Sequence, residues 1–437
     1  MTEDNDRTEL LQTIETFLKP IIAGLVPAPV SEGPGRPRIL PAAALWAGVL
    51  VAVARGFNAQ LDLWRLLAGS GLWDFPRFAV SDDAVYKRLK QAGRETFQGL
   101  FRQVTAVLRG QSRPVANSLG RLAAFANGVY ALDGMTLDAV TKRLPALRPR
   151  AETAILPGKV AAVFDVRAQL WQKVEFVEDA QANDKVAARG LLAGLEVGSL
   201  ILADLGYFAF AWFDDLTRQG YFWISRLRAK TSYELIHVFY QRDGVTGPRF
   251  CTGVDALVWL GADRADRAAY AVRLVQFTRG DKTWAYLTNV LDPRRLSLHD
   301  ISHLYARRWD IERMFNLVKT HLHLHLLWSS HLTVILHQVY AVFTVAQIIL
   351  GLRAEIAERA QAEIEEVSLD LMIRWIPRFA QTGQDPIQLI AERGRQAKII
   401  RPIHRTKHIL PELSWHDYLP APDNLLLSRS PRYAGKD

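Results

Sequence analysis

The chain has 437 residues, 49% hydrophobic and 23% charged, which supplies ample material for cores and excludes general disorder. Lysine and arginine total 54 against 45 acidic residues, a net charge of +9 that points to a polyanionic partner without naming one. The one cysteine, Cys251, excludes an intramolecular disulfide, a cysteine-based zinc site and a CxxC redox pair, and fits a reducing cytoplasm.

At about 150 residues per domain, the length predicts roughly three domains. Residues 1–15 are acidic and polar (Glu3, Asp4, Asp6, Glu9), the opposite of a secretory leader. Residues 1–115 read as a helical region, with helices expected over 40–55, 59–67 and 81–92. The third opens on Ser81-Asp82-Asp83, a good cap, and then carries Lys87, Arg88 and Lys90. Such a helix suits a helix-turn-helix-like DNA-binding unit and equally a bundle with a solvated basic face.

From 116 to 230 the texture is α/β. Strands are expected over 129–132, 159–164, 170–176, 200–203 and 221–224, with a turn around 165–168 and a helix over 184–195. Residues 231–290 read as strands separated by turns. Helices resume after Leu296, and a basic, loop-like end follows from 393. The apolar run 332–352 is long enough to cross a bilayer, but His337, Gln338 and Gln347 interrupt it, so a buried core helix is expected and no membrane partner.

Two aspartates share one local context. Val129-Tyr130-Ala131-Leu132 runs into Asp133-Gly134, and Leu200-Ile201-Leu202-Ala203 into Asp204-Leu205-Gly206. Each alone could be a turn residue closing a strand. Two converging carboxylates on one sheet are costly unless a cation, usually a metal, offsets them.

A third acid sits on a helix. Ser297-Leu298-His299-Asp300 fits a capping box, which starts a helix near Leu298. Tyr305, Arg308, Glu312 and Lys319 then fall within about 60° of arc at roughly 100° per residue. Leu304, Ile311, Phe315, Val318 and Leu322 form an adjoining apolar stripe. The plain alternative is a solvated face of i,i+4 pairs, Arg308–Glu312 among them.

Tyr305-x2-Arg308-x3-Glu312-x6-Lys319 resembles the tyrosine–arginine–glutamate–lysine motif of the insertion-sequence-four family of bacterial DDE transposases. Leu287-Thr288-Asn289 and the run from Tyr305 to Glu312 match its wording, and Asp133-Gly134-Met135-Thr136 and Asp204-Leu205-Gly206-Tyr207 resemble its two aspartate segments. The resemblance covers about 130–350. It implies a ribonuclease H-like catalytic core in which Asp133, Asp204 and Glu312 are catalytic and hold two Mg²⁺ ions, with Mn²⁺ as a substitute. Hard oxygen ligands suit those ions, and in-line phosphoryl transfer uses one for the attacking oxygen and one for the leaving oxygen.

The stretch from Asp204 to Glu312 is far longer than a helix and a turn require. The resemblance therefore assigns 231–290 as a β-rich insertion between the first part of the core (116–230) and its second part (291–350), with a helical and basic region over 351–437. Within the insertion, Trp284 corresponds to a tryptophan that stacks on a base flipped from the transposon end in relatives; the alternative is a core tryptophan, with Trp259 as the rival. Tyr305, Arg308 and Lys319 would contact terminal DNA phosphates.

Arg226, Arg228 and Lys230 alternate along an extended segment and would face DNA. Lys142, Arg143, Arg148 and Arg150 form a second basic loop. Residues 393–408 hold six basic side chains and no acid, a phosphate clamp or a solvated tail. His321, His323, His325 and His331 lack the spacing of a zinc site. No phosphate-binding Gly-x4-Gly-Lys-Ser/Thr loop occurs, so no nucleotide cofactor is expected.

The resulting expectation is a bacterial DNA transposase, cytoplasmic and nucleoid-associated when bound. It would bind double-stranded transposon inverted ends, cleave them and transfer their 3′-hydroxyls to target DNA as a homodimer, and the resemblance adds hairpin ends as one route. A metal-dependent nuclease without strand transfer, or a domesticated DNA-binding protein without catalysis, are the rival readings.

Overall fold

The computed structural model describes residues 19–20, 39–73, 75–93, 95–111, 121, 123–137, 158–178, 184–242, 252–261, 266–279, 282–380, 384–402 and 418–433. The basic loop 142–150, Cys251, the turns at 243–248 and the end of the basic run, 403–408, lie outside them.

Among the described residues ahead of the sheet are α1 (Ala42–Ala54), α2 (Gln60–Arg65, continued by a π-turn to Ser70), α3 (Asp82–Gln91) and α4 (Glu95–Gln111). Ser81 caps α3, its Oγ accepting from the Ala84 amide at 3.2 Å. The basic face of α3 is locally committed. Lys87 pairs with Asp83 at 2.7 Å, and Lys90 lies over the Tyr86 ring. These helices do not form a detached module. Leu45, Leu50, Val85, Phe97 and Val104 are buried in the same apolar cluster as the helix of 332–359 described below.

The sheet follows: β1 (Val129–Thr136), β2 (Lys159–Asp165), β3 (Leu170–Val177), α5 (Asp184–Leu192), β4 (Leu200–Ala203), α6 (Phe210–Arg218), β5 (Phe222–Arg226), β6 (Tyr233–Arg242), β7 (Thr252–Leu260), β8 (Val272–Arg279) and β9 (Lys282–Thr288). The nine strands form one sheet in the order β3-β2-β1-β4-β5-β9-β8-β7-β6. β1, β4 and β5 run parallel, with α5 preceding β4 and α6 crossing from β4 to β5; the other neighbours are antiparallel. The expected insertion at 231–290 is thus not a separate layer. Its last strand, β9, pairs with β5 through Ile224↔Thr288 and carries the ladder outward.

Strand alternation sorts the two faces. Leu132, Ile201, Ala203 and Trp223 pack with Leu191, Trp212 and Phe213 of α5 and α6. Val129, Ala131, Leu200, Leu202, Ile224 and Tyr286 pack on the opposite face, against the helices that follow. Asp133 and Asp204 share the parity of this second set.

Those helices are α7 (Leu298–Arg307), α8 (Trp309–Asn316, continued by a π-turn to His321), α9 (Leu332–Arg359), α10 (Leu369–Ala380) and α11 (Pro386–Arg393). α9 is the apolar run flagged above, and 94% of its most apolar window is buried by the rest of the chain. Its polar side chains bond to neighbours. Gln347 receives the Trp171 amide and donates to the Trp171 carbonyl and Thr105, Gln338 bridges Trp328 and Leu326, and His337 donates to the Leu89 carbonyl. Burial lowers the His337 pKa to about 4, so it is neutral. Residues 418–433 run back along the outer strands, with bridges Arg267↔Arg432 and Tyr270↔Ser428.

Candidate active site

β1 pairs with β4 only as far as Ala131↔Leu202, while its ladder with β2 continues to Thr136. Asp133 is therefore not at the strand's end, as expected, but just past the end of the β4 pairing, on a free edge. Asp204 follows the last residue of β4. The two acids leave the parallel strands at the same end, where a turn opens the sheet.

The helix above them starts as the sequence requires. The Ser297 Oγ accepts from the Asp300 amide at 3.0 Å, and the Asp300 carboxylate receives the Ser297 amide at 3.2 Å. Its apolar stripe is buried, Leu304, Ile311, Phe315, Val318 and Leu322 all joining the apolar cluster shared by the sheet and α9. At Arg308 the amide bonds back to Tyr305 O at 3.1 Å, an i−3 bond that tightens the junction of α7 and α8.

Arg308 is the hub. Its side chain is only 7% exposed, with Nη2 bonded to Glu312 Oε1 at 2.6 Å and Nε 3.7 Å from Asp204 Oδ1. Nη1 is buried without a hydrogen bond. Asp204 and Glu312 are 41% and 31% exposed, so this cluster opens to solvent on one side. Asp133 is raised to about 6, chiefly by burial, with Glu312 and Asp204 pushing further up and the Gly134 amide and Arg308 pulling down. Its Oδ1 accepts the Gly134 amide at 2.8 Å. Asp133, Asp204 and Glu312 thus share one electrostatic neighbourhood around one guanidinium.

The donor set is all carboxylate oxygen, the chemistry Mg²⁺ or Mn²⁺ takes. The residues fit such ions in charge and ligand type: burial leaves Asp133 favouring its neutral form, a cost that a cation offsets. The side chains are not gathered onto one point, since among the described residues no three His, Cys, Asp or Glu groups stand close enough to hold one ion.

Three expectations change. Tyr305 is 6% exposed; its hydroxyl donates to Ala203 O at 3.2 Å and its ring lies on Tyr286. It ties the helix to the strand end beside Asp204, with its hydroxyl committed to that carbonyl. Lys319 lies on the π-turn, whose wider winding takes it off the straight-helix angle, and it is half-buried. Arg226, Arg228 and Lys230 do not share one side of a strand. β5 ends at Arg226, Arg228 donates to Leu205 O at 3.3 Å and stacks on Phe208, and Lys230 sits in a turn at φ 65°. All three are exposed.

Trp284 is half-buried on β9, stacked on Phe277 at 5.3 Å, and on the same strand face as Tyr286 two residues on. Trp259 is buried, with Arg429 over its ring. The site also contains residues the motif did not single out: Tyr286 under Tyr305, and Trp309, 58% exposed, with the Arg308 guanidinium 5.6 Å from its ring centre. An aromatic directly after the motif arginine was the available signal.

Residues 129–346 match the family model described as "Transposase DDE domain". The match runs from β1 into α9, just under half of the chain, and contains every strand of the sheet, all three acids and Arg308. A protein of Sinorhizobium fredii named "Putative transposase y4zB" is 28% identical over 244 residues, 51% of this chain and 66% of that one. The chain thus spans just under two thirds of that relative's length. A solved piggyBac transposase synaptic complex with hairpin DNA aligns over 91% of this chain and 83% of its own, at 9% identity and a TM-score of 0.38, too low to establish a shared fold.

Proposed function

We propose that the chain is a DNA transposase of the insertion-sequence-four kind, with β3-β2-β1-β4-β5 as a ribonuclease H-like core and Asp133, Asp204 and Glu312 as its catalytic acids. The observation that carries this reading is the convergence of those acids on Arg308 at one end of the parallel strands, inside the segment that matches a transposase domain. The three carboxylates would hold two divalent cations, Mg²⁺ or Mn²⁺, which lower the pKa of the attacking water or 3′-hydroxyl and stabilise the leaving oxygen.

The chain's own residues supply position and charge. Arg308 holds its positive charge beside Asp204 and Glu312 at the solvent-open edge, where it would attract a DNA phosphate. Tyr305 fixes the helix against Ala203 and so sets the spacing of Glu312 from Asp204. Trp284, with Phe277 behind it, offers a platform for an unpaired base, and Arg226 flanks the cleft from the end of β5. The partners are double-stranded element ends and target DNA, and two ends held together imply a homodimer on DNA.

The test is incubation with linear DNA carrying the element's ends and Mg²⁺, followed by separation of cleaved and joined strands. Cleavage and joining are expected, both lost in Asp204→Asn and Glu312→Gln. Cleavage that survives those changes sinks the catalytic assignment. Nicking without joining indicates a nuclease, and binding without chemistry a regulator. Hairpin formation unaltered in Trp284→Ala overturns the stacking role.

A further inference from the structure

We propose that Arg273 and Asp255, on the outer strands, are positioning residues for the helix that carries Arg308 and Glu312, with Tyr418 as a third arm. The kinetic part of this inference rests on the catalytic reading above; the structural part does not.

Arg273 of β8 and Asp255 of β7 are fully buried, and they form a bidentate pair: Nε to Oδ1 and Nη2 to Oδ2, both at 2.6 Å. Arg273 Nη1 donates to the carbonyl of Leu296 at 2.6 Å. Leu296 immediately precedes Ser297, the cap of α7. Arg273 shares strand parity with Val275 and Phe277, and Asp255 lies opposite Val275, so the pair sits on the sheet face where the helix docks. Tyr418, in the C-terminal segment, hydrogen-bonds Asp255 and stacks on Tyr240 of β6.

A buried ion pair is a poor way to gain stability, because desolvation consumes the attraction and apolar replacements of like volume often do as well. What the pair supplies is direction. Each guanidinium nitrogen has an assigned acceptor, and the Leu296 carbonyl can sit in one place only. From Ser297 to Glu312 a helix covers about 22 Å, so a tilt of about 5° at its start moves Glu312 by about 2 Å. Misplacement by about 1 Å is enough to cost on the order of a hundredfold in rate. Tyr305 on Ala203 O and Arg273 on Leu296 O fix that helix at two points along its length.

The experiment uses the full-length chain in two variants. Arg273→Met combined with Asp255→Leu replaces the pair by apolar groups of similar size, and Tyr418→Phe removes one hydroxyl. The readouts are melting temperature, amide hydrogen exchange over 298–307 against 129–136, and kcat and KM for end cleavage. The double variant is expected to melt near or above the parent, to exchange about tenfold faster over 298–307 alone, and to lose at least about tenfold in kcat with KM unchanged. Tyr418→Phe is expected to show the same pattern at about two- to threefold, and it decides the matter if the double variant does not fold. Unchanged exchange over 298–307 in a folded variant overturns the proposal, as does a fall in kcat matched by an equal rise in KM. If the parent cleaves no DNA, the catalytic reading fails and the exchange result alone decides the positioning role.

Discussion

Arg307 and Arg308 are adjacent in sequence and belong to opposite surroundings. Behind the helix, Arg307 is 2% exposed and pairs with Asp310 at 2.5 Å and with Glu365, while Gln169 bonds both Asp310 at 3.1 Å and the Val166 carbonyl. Nearby Arg353 is wholly buried; burial and then the positive charge of Arg313 lower its pKa to about 10, and its Nε reaches the Val367 carbonyl. In front, Arg308 touches two acids that are themselves partly open to solvent, Asp204 at 41% and Glu312 at 31%, against 2% and 14% for the two acids on Arg307, and Asp133 is driven toward its neutral form. The same residue type is therefore closed into structure on one side and left reactive on the other. A buried charge whose partners stand at a solvent-open edge is what a binding site for another charge requires.

The widest separation of the two sides is expected from Glu312→Gln. It should cost at least about a thousandfold in DNA cleavage, about 4 kcal/mol of barrier, with the melting temperature within a few degrees of the parent. Single-turnover cleavage beside a thermal melt reads both; a parallel fall of rate and stability would erase the contrast. Arg307→Met should behave oppositely. Leaving Asp310 and Glu365 without their cation should destabilise the fold by about 3–5 kcal/mol in urea unfolding, and a loss under about 1 kcal/mol would show the rear network to be dispensable.

Asp133 gives the comparison a pH axis. Its folded pKa of about 6 lies above its ordinary value of 3.8, so the folded protein keeps a proton that the unfolded chain has released. Its stabilising contribution is full below about pH 4 and is lost as pH rises through 6. In chelator-containing buffer, Asp133→Asn should therefore match the parent near pH 4 and exceed it by about 2–3 kcal/mol at pH 8. A parent whose advantage grew with pH would reverse the sign of this argument. The smallest effect is expected at Tyr305. Tyr305→Phe should lose about 1 kcal/mol of stability with the hydrogen bond to Ala203 O, and leave DNA affinity within about twofold. A large loss of affinity instead would favour the phosphate contact expected from the motif.

Local signals carried much of this into the sequence. The four residues of β4, the start of α5 at Asp184 and the cap at Ser297 were all legible, because each is fixed by neighbours within a few positions. The helices Glu95–Gln111 and Phe210–Arg218 were not singled out. Joining of the outer strands to the core depends on Ile224 meeting Thr288, a pairing between distant residues that no local pattern encodes. For the site, spacing placed Arg308 and Glu312 on one face, and they are in contact. It could not show that Tyr305, on that same face, points at a carbonyl, since helical phase gives direction and not what stands there. Nor did it separate Arg307 from Arg308: one helical step, about 100°, divides a sealed charge from an open one.

α9 has a consequence for how the chain is made. A ribosome emits these 28 residues, apolar enough to be mistaken for a bilayer anchor, after α1, α3, α4 and β3, which pack against them, and before α11, which completes their cover. The segment can therefore bury much of its surface as it appears, and only the side that meets α11 waits for later synthesis. Gln338 and Gln347 act at that moment as well as later, because each raises the cost of entering lipid while already matching a partner in the nascent protein at Leu326 and Trp171.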